Sequence, residues 1–249
     1  MMKIIPLSEG SYTIDHTKEF IPFDKNSDDL QKRSTGSLLV EIQPFVVITK
    51  KDIILLDCGL GFTNKQDILL IHQNLINNNI DPSSVSKVLL SHLHKDHAGG
   101  IGKFDQILHR SFLSFPNATY YINKSELALA SKPGNPSYKP EKFEVLNSSS
   151  AHLVLLEDNG IIDDYIHYST TSAHSPFHQV FWIEEDSQKV FYGADDAPQH
   201  QQMKSKFVAK YDFDGKKSMQ LRTDWWQKGK EEHWTFLFYH DIKTPMVTL

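Results

Sequence analysis

The stretch "SHLHKDHAGG", Ser91 to Gly100, contains three histidines and an aspartate within six positions. Charged imidazoles repel one another and neutral ones attract little, so this crowding needs something to stabilise it. A divalent metal ion does so, because neutral imidazole and carboxylate bind zinc and similar ions at about 2.0–2.2 Å. We therefore interpret the stretch as a metal site rather than as a solvated polar loop in which histidines cluster by chance.

This stretch directly follows the apolar run "KVLL", which predicts a short buried strand. If extended backbone continues past that run, His92, His94 and Asp96 point to one side, whereas His97 requires a turn. The glycines that follow permit the turn, and we expect a helix to begin near residues 99–101. Four ligands from one loop can hardly all serve one tetrahedral ion, so the pattern favours two ions.

Strand and helix patterns alternate along the rest of the chain, with roughly nine or ten predicted strands. This mixture indicates one layered α/β (α+β) domain over residues 1–249. Helices are predicted over residues 65–78, after an N-cap at Ser125, and around residues 224–234, and "TFLFYH" is predicted to be the last strand. The segment 1–37 contains a largely patternless, aromatic-bearing part, which is interpreted either as a cover over the substrate or as an irregular edge. The Pro-rich stretch 132–140 is predicted to be a surface loop.

Composition excludes several classes of protein. The chain has 249 residues, 39% hydrophobic and 23% charged, as in ordinary globular proteins. The net charge of −5 argues against a broad nucleic-acid surface. No apolar stretch is long enough for a signal peptide or a membrane helix, so we expect a cytoplasmic protein without a membrane partner. The only cysteine, Cys58, excludes an intramolecular disulfide and is expected to be buried.

A family resemblance connects these features. "HLHKDH" resembles the H-x-H-x-D-H signature of the metallo-β-lactamase superfamily. Four further stretches resemble that family's motifs in the family's order: "IILLDCGLG", "SAHSPFHQVFWI", "VFYGADDAP" and "LFYHD". The resemblance implies an αββα sandwich, in which two mixed β-sheets are flanked by helices and the metal site lies at one edge between the sheets.

The resemblance also implies seven ligands for two divalent ions, most often Zn²⁺, with Mn²⁺ or Fe²⁺ as alternatives. Two positions depart from the family pattern, since Ala173 and Phe177 stand where it usually has glycine. The bridging carboxylate is ambiguous between Asp195 and Asp196, and the spacing within "YGADDAP" favours Asp195. The implied ligands are His92, His94 and His174 for one ion, Asp96, His97 and His240 for the other, and Asp195 as the bridge.

Two more residues are candidates for supporting the ligands. Asp57 ends the strand "IILLD" and is predicted to hydrogen-bond a ligand histidine or nearby backbone, with capping of its strand as the alternative. His178 either orients a ligand or packs in the core. Asp96 and Asp195 are the candidate catalytic carboxylates. The leaving group is expected to be stabilised either by one of the metal ions or by a protonated group, Asp96 or a nearby tyrosine.

The chemistry implied by such a centre is hydrolysis by a hydroxide shared between two metal ions. Related enzymes of other kinds fit less well. The diiron relatives carry a carboxylate in place of His94 and an added flavodoxin domain, nucleic-acid-processing relatives carry an inserted domain or basic arm, and a secreted β-lactamase needs an export signal. A glyoxalase II-like thioesterase continues past its last ligand, whereas nine residues follow His240 here.

A lactonase-like enzyme that hydrolyses an ester, lactone or related small molecule remains the preferred prediction. Some acyl-homoserine lactonases have a tyrosine where Pro198 stands, which argues against that particular substrate. The alternatives are a thioester or phosphodiester hydrolase and a non-catalytic metal-binding or metal-sensing protein. The sequence leaves open the natural substrate, the native metal and the choice between a monomer and a homodimer.

Overall fold

Two six-stranded β-sheets face each other in the computed structural model, which describes residues 2–249. Both are mixed, because parallel and antiparallel pairs occur in each. The first sheet contains, in spatial order, β1 (Lys3–Pro6), β5 (Phe45–Ile48), β6 (Ile53–Leu56), β7 (Lys87–Leu89), β10 (Thr119–Asn123) and β11 (His152–Leu156). The second contains β12 (Asn159–Ile162), β13 (Ile166–Thr170), β14 (Gln179–Glu185), β15 (Gln188–Tyr192), β16 (Thr235–Leu237) and β17 (Met246–Thr248).

Two smaller sheets complete the strands. β3 (Ile21–Phe23), β2 (Gly10–Ile14) and β4 (Leu38–Ile42) form a three-stranded sheet, and β8 (Gly102–Asp105) pairs with β9 (Arg110–Leu113). The prediction that the segment after residue 10 lacks regular structure was therefore wrong in part. So was the number of strands, which is 17 over residues 2–249, with β17 rather than β16 as the last. Many of these strands have only three or four residues, too few for an alternating pattern to be recognised.

Residues 2–249 contain five α-helices, which lie against the sheets or between strands. Asn64 accepts hydrogen bonds from the backbone N–H groups of Gln66 and Ile68 and holds a turn there, so the first helix begins later than predicted. The third begins after Asn123, whose side chain accepts from two N–H groups of the first turn, and Ser125 is not its N-cap. No helix within residues 2–249 is long and apolar enough to cross a membrane. The helices are α1 (Leu70–Asn77), α2 (Lys95–Ala98), α3 (Lys124–Ala130), α4 (Pro140–Phe143) and α5 (Gly215–Glu232).

Alternation along the central strands separates three apolar layers. In β6, Ile54 and Leu56 pack between the two sheets, whereas Leu55 packs on the outer side with α1. In β15, Tyr192 faces the first sheet, and Phe191 packs with the tryptophans of α5 on the other side. Successive strand residues point to opposite faces, so each sheet carries apolar side chains on both. The predicted αββα sandwich is confirmed.

Candidate metal centre

The histidine-rich loop begins where β7 ends and turns sooner than expected. The strand stops at Leu89, His94 precedes the first turn of α2, and Asp96 and His97 lie on that single turn. The predictions of extended backbone as far as Asp96 and of a helix start near residues 99–101 were therefore wrong. The change from strand to helix, and not simple alternation, is what directs these side chains.

The two glycines after α2 serve a close backbone approach. A Cβ at Gly99 would lie 2.1 Å from the Leu60 carbonyl oxygen, and one at Gly100 would lie 2.1 Å from that of Cys58. Neither position has room for a larger residue, since a non-bonded contact at this distance is strongly repulsive. This packing holds the loop after β6 against the end of α2, and Cys58 is buried as predicted.

The seven implied ligand residues come together as two adjacent groups. Within each group one potential ligand atom per residue lies within 4.8 Å of the others. The first group is His92, His94, His174 and Asp195, and the second is Asp96, His97 and His240.

Asp195 lies between the groups and directs one carboxylate oxygen to each. Its Oδ2 is 3.1 Å from Nε2 of His174 and 4.0 Å from Nε2 of His92. Its Oδ1 is 3.1 Å from Nε2 of His97 and 3.0 Å from Nε2 of His240. A carboxylate so placed can contribute an oxygen to each of two ions.

Several polar atoms at the centre lack the hydrogen bonds that buried groups normally make. Nε2 of His92, Nε2 of His97 and Oδ1 of Asp195 are buried without a hydrogen-bond partner among residues 2–249. Most buried polar atoms in proteins are satisfied, so unpaired lone pairs that converge need another partner. Imidazole and carboxylate donors without a thiolate suit zinc, manganese or iron, so the residues fit divalent metal ions.

Burial and neighbouring charges divide the histidines into two kinds. Burial, reinforced by adjacent imidazoles, lowers the pKa of His92 and of His94 well below the usual value, which keeps their lone pairs free. Burial acts in the same direction on His97, but the carboxylates of Asp195, Asp96 and Asp57 outweigh it and raise its pKa. Burial likewise opposes ionisation of Asp195, yet His240 and other imidazoles hold its pKa well below normal.

Asp57 lies behind the centre and supports the histidine-rich loop. Its carboxylate accepts hydrogen bonds from the Ser91 N–H (2.8 Å), the Ser91 hydroxyl (2.6 Å) and the Tyr192 hydroxyl (2.5 Å). It also lies 2.8 Å from Nδ1 of His97. An acceptor there favours a proton on Nδ1 and leaves Nε2 facing Asp195.

Asp196 points away from the centre, because the chain leaves β15 through a 3₁₀ turn, Ala194–Asp196, instead of continuing as a strand. One oxygen accepts the backbone N–H of His174 at 2.7 Å, and the other accepts the Thr171 hydroxyl. That second oxygen also lies 3.1 Å from Nδ1 of His178, whose ring centroid is 4.9 Å from that of His92. Asp196 and His178 thus form a buried layer beneath the first group.

Three supporting contacts are absent from the sequence prediction. The buried Asp212 carboxylate lies 2.9 Å from Nδ1 of His174. The Tyr239 ring stacks on His97 at 4.1 Å between centroids, and its hydroxyl donates to the Asp96 carbonyl at 2.6 Å. No sequence motif marks these contacts, because the partners are far apart in the chain: Asp212 is 38 residues from His174, and Tyr239 is 143 residues from Asp96.

The Pro-rich stretch 132–140 contributes more to the site than a surface loop would. Tyr138 is buried, bridges to the His94 backbone, and has its ring centroid 4.9 Å from that of His94. Ser137 accepts the Lys95 N–H at 2.8 Å. The prediction holds for the exposed residues around Gly134, but the end of the stretch forms a wall of the centre.

The sequence profile of the metallo-beta-lactamase superfamily matches residues 40–195, which include the loop after β7, His174 and Asp195. The chain belongs to this superfamily. Two curated relatives, both named N-acyl homoserine lactonase AttM, match more narrowly. The protein from Agrobacterium fabrum is 31% identical over 120 residues, covering 44% of this chain and 40% of AttM. The one from Rhizobium radiobacter is 30% identical with the same coverage, so the matches span two fifths of these relatives.

Solved structures of low sequence identity share the fold along nearly the whole chain. A probable metal-dependent hydrolase from Staphylococcus aureus is 22% identical with a TM-score of 0.77, covering 99% of this chain and 92% of its own. AidC, a dizinc quorum-quenching lactonase solved with the product N-hexnoyl-L-homoserine, is 18% identical with a TM-score of 0.72, covering 99% and 90%. At these identities the comparison concerns the fold alone.

Proposed function

We propose that this protein is a metal-dependent hydrolase that cleaves an ester, lactone or related carbonyl bond in a small molecule. The observation that carries the proposal is the position of Asp195, whose two oxygens face two separate groups of imidazole and carboxylate donors. The superfamily and the lactonase names of the partly matching relatives support the same class of reaction.

The residues that would hold the metal are those implied by the sequence. His92, His94 and His174 would hold one ion, Asp96, His97 and His240 the other, and Asp195 would bridge them. Two divalent ions, Zn²⁺ by preference, supply a shared water of lowered pKa and polarise the substrate carbonyl when bound. In three of the histidines an acceptor next to Nδ1 favours a proton there and leaves Nε2 free for a metal. The acceptor is the Asp57 carboxylate for His97, the Asp212 carboxylate for His174 and a backbone carbonyl for His240.

Asp96 and Asp195 are the proposed catalytic carboxylates. Asp195 would help to hold both ions, which supply the nucleophilic water, because each of its oxygens faces one of the two groups. The Asp96 side chain is 12% exposed and lies 3.5 Å from Nε2 of His240. It is therefore placed to exchange a proton with a departing alkoxide on the open side of the centre.

We further propose that residues 1–249 act as one domain in which the segment 1–37 covers the substrate. β1 of this segment joins the first large sheet, which anchors it. The Phe20 ring then packs on Tyr12 with centroids 6.2 Å apart, and Tyr12 packs on Phe62 at 5.9 Å. These aromatic side chains could form an apolar side of the substrate site.

A hydrolase screen on metal-loaded protein tests the proposal. It includes lactones, aryl esters, thioesters, phosphodiesters and a cephalosporin, with metal content measured on the same sample. We expect about two ions per chain and fastest cleavage of lactones or esters. His16→Ala is the matched control for His94→Ala, because the His16 side chain is 93% exposed.

Different results would exclude different parts of the proposal. Cleavage of phosphodiesters with inert esters would overturn the substrate class. Two tightly bound ions without any hydrolysis would favour the metal-binding or metal-sensing alternative.

A further inference from the structure

Lys95 adjoins the proposed metal ligands on α2, and two further lysines lie on the segments that pack beside it. Lys95 lies between His94 and Asp96 on α2, and its Nζ is 5.8 Å from the Phe20 ring centroid. Lys139 follows Tyr138, the residue whose ring lies against His94. Lys139 is two residues from Ser137, whose backbone carbonyl accepts the Lys95 N–H at 2.8 Å, and Lys18 is two residues before Phe20.

These three ammonium groups are not neutralised by ion pairs. None lies within 4.0 Å of a carboxylate among residues 2–249. The acidic groups that act on Lys95 are Asp96, a proposed metal ligand, and the exposed Glu19. Lys95 is also half-buried, and a cation that is partly removed from water among like charges costs free energy unless an anion joins it. Within the described part of the chain, the lysines that form ion pairs are Lys25, Lys50, Lys87, Lys103, Lys189 and Lys228.

We infer that Lys95, together with Lys18 and Lys139, binds an anionic group of the substrate beside the metal centre. That this anionic group belongs to a substrate rests on the proposed hydrolase function. The Phe20, Tyr12 and Phe62 rings adjoin the cluster and suit an apolar chain. The substrate class that fits is an ester or lactone whose acyl chain ends in an anionic group. The experiments below use a carboxylate as that group.

Equilibrium binding tests the inference without any turnover. Adipate and hexanoate have chains of equal length, and each offers one carboxylate to the metal centre, but only adipate has a second for the lysines. Because either end of adipate can bind the metal, statistics alone give about a twofold advantage. We expect metal-loaded protein to bind adipate about tenfold more tightly than hexanoate by calorimetry, a difference of about 1.4 kcal/mol.

Matched variants assign the effect to the cluster. Lys95→Met keeps the aliphatic stem and should reduce the adipate advantage to the statistical twofold. Lys95→Arg keeps the charge and should retain most of it. Lys216→Met, at an exposed position on α5, should behave as the parent protein. An adipate advantage of only twofold in the parent, or an undiminished advantage in Lys95→Met, would overturn the inference.

A kinetic comparison separates this inference from the proposed function. The para-nitrophenyl monoester of adipic acid should have a kcat/KM about tenfold above that of para-nitrophenyl hexanoate, mainly through KM. Added salt should reduce that ratio, because it screens a partly exposed charge pair. No cleavage of either ester, with the adipate preference in binding retained, would refute the hydrolase and leave the anion site in place. Equal kcat/KM values that are insensitive to salt would exclude the anion site and leave the hydrolase in place.

Discussion

Replacement of each of the adjacent aspartates by asparagine should separate metal binding from stability. Asp195 faces both groups of donors, whereas Asp196 is buried beneath them and accepts the His174 N–H and the Thr171 hydroxyl. Asn keeps the size of the side chain but replaces one oxygen by an N–H donor and removes the charge. The two variants should therefore fail in different ways.

The structure sets the expected magnitudes. In Asp196→Asn one charge-assisted hydrogen bond is lost or weakened, which costs about 1.5–3 kcal/mol. For a domain of this size 1 kcal/mol corresponds to about 2–4 °C, so Tm should fall by roughly 3–12 °C with or without metal. Saturation of one metal site at 100 times its Kd stabilises by about 2.7 kcal/mol, a gain of roughly 5–11 °C. Asp196→Asn should keep this gain, and Asp195→Asn should lose at least half of it.

The assay is thermal unfolding followed by circular dichroism, in chelator and then with added Zn²⁺, together with elemental analysis. Hydrolysis rates of the same samples should show Asp195→Asn lower by several orders of magnitude. If Asp195→Asn gains stability from metal as the parent does and Asp196→Asn does not, the bridging residue is Asp196. If Asp196→Asn has the parental Tm in chelator, the argument from its buried hydrogen bonds is wrong.

Three other substitutions test separate parts of the site and fold. His94→Ala should lower metal content and abolish hydrolysis. The control is His233→Asn, which should change neither, because His233 is at an exposed helix end with φ +57°, a conformation that suits Asn. Equal effects of the two substitutions would contradict the ligand assignment. Asp212→Asn should weaken metal binding about 10–100-fold, measured by competition titration with a chelator. The control Asp214→Asn should leave the affinity unchanged, because Asp214 caps α5 and Asn caps a helix equally well. Unchanged affinity in Asp212→Asn would show that His174 needs no carboxylate behind it. Burial raises the pKa of Glu9 from 4.5 to about 8, so its contribution to stability is fully present below pH 4.5 and is lost as the pH rises to about 8. Glu9→Gln should therefore raise Tm at about pH 9 and leave it unchanged at about pH 4, and parallel pH profiles of Tm for the two proteins would refute this.

The identity of the donors was predictable because it depends on residue type and local order. His92, His94, Asp96 and His97 occur in one short stretch, and side chains of these types are ones that could bind a metal ion. The family resemblance extended the set to His174, Asp195 and His240 in order along the chain. The alternating apolar residues of strands such as β6 similarly indicated buried sheets, and the packing confirms them.

The directions of these side chains were decided by tertiary structure. Asp195 and Asp196 diverge because β15 ends in a 3₁₀ turn, and the pattern "YGADDAP" contains no periodicity long enough to show that turn. The loop after β7 turns into α2 at His94, and Gly99 and Gly100 at the end of that turn pack on backbone from a different loop. Contacts between segments distant in sequence are present at both places, since Asp196 is held by Thr171 and His174.

The supporting contacts show the same limit most clearly. Asp212 meets His174, and Tyr138 meets His94, only after the two sheets have packed and brought separate loops to one edge. A single carboxylate or tyrosine in a loop has no local pattern, because its partner is chosen by the long-range geometry of the fold. The sequence by itself therefore determined which groups could bind metal, and the packing of the sheets decided which residues stand behind them.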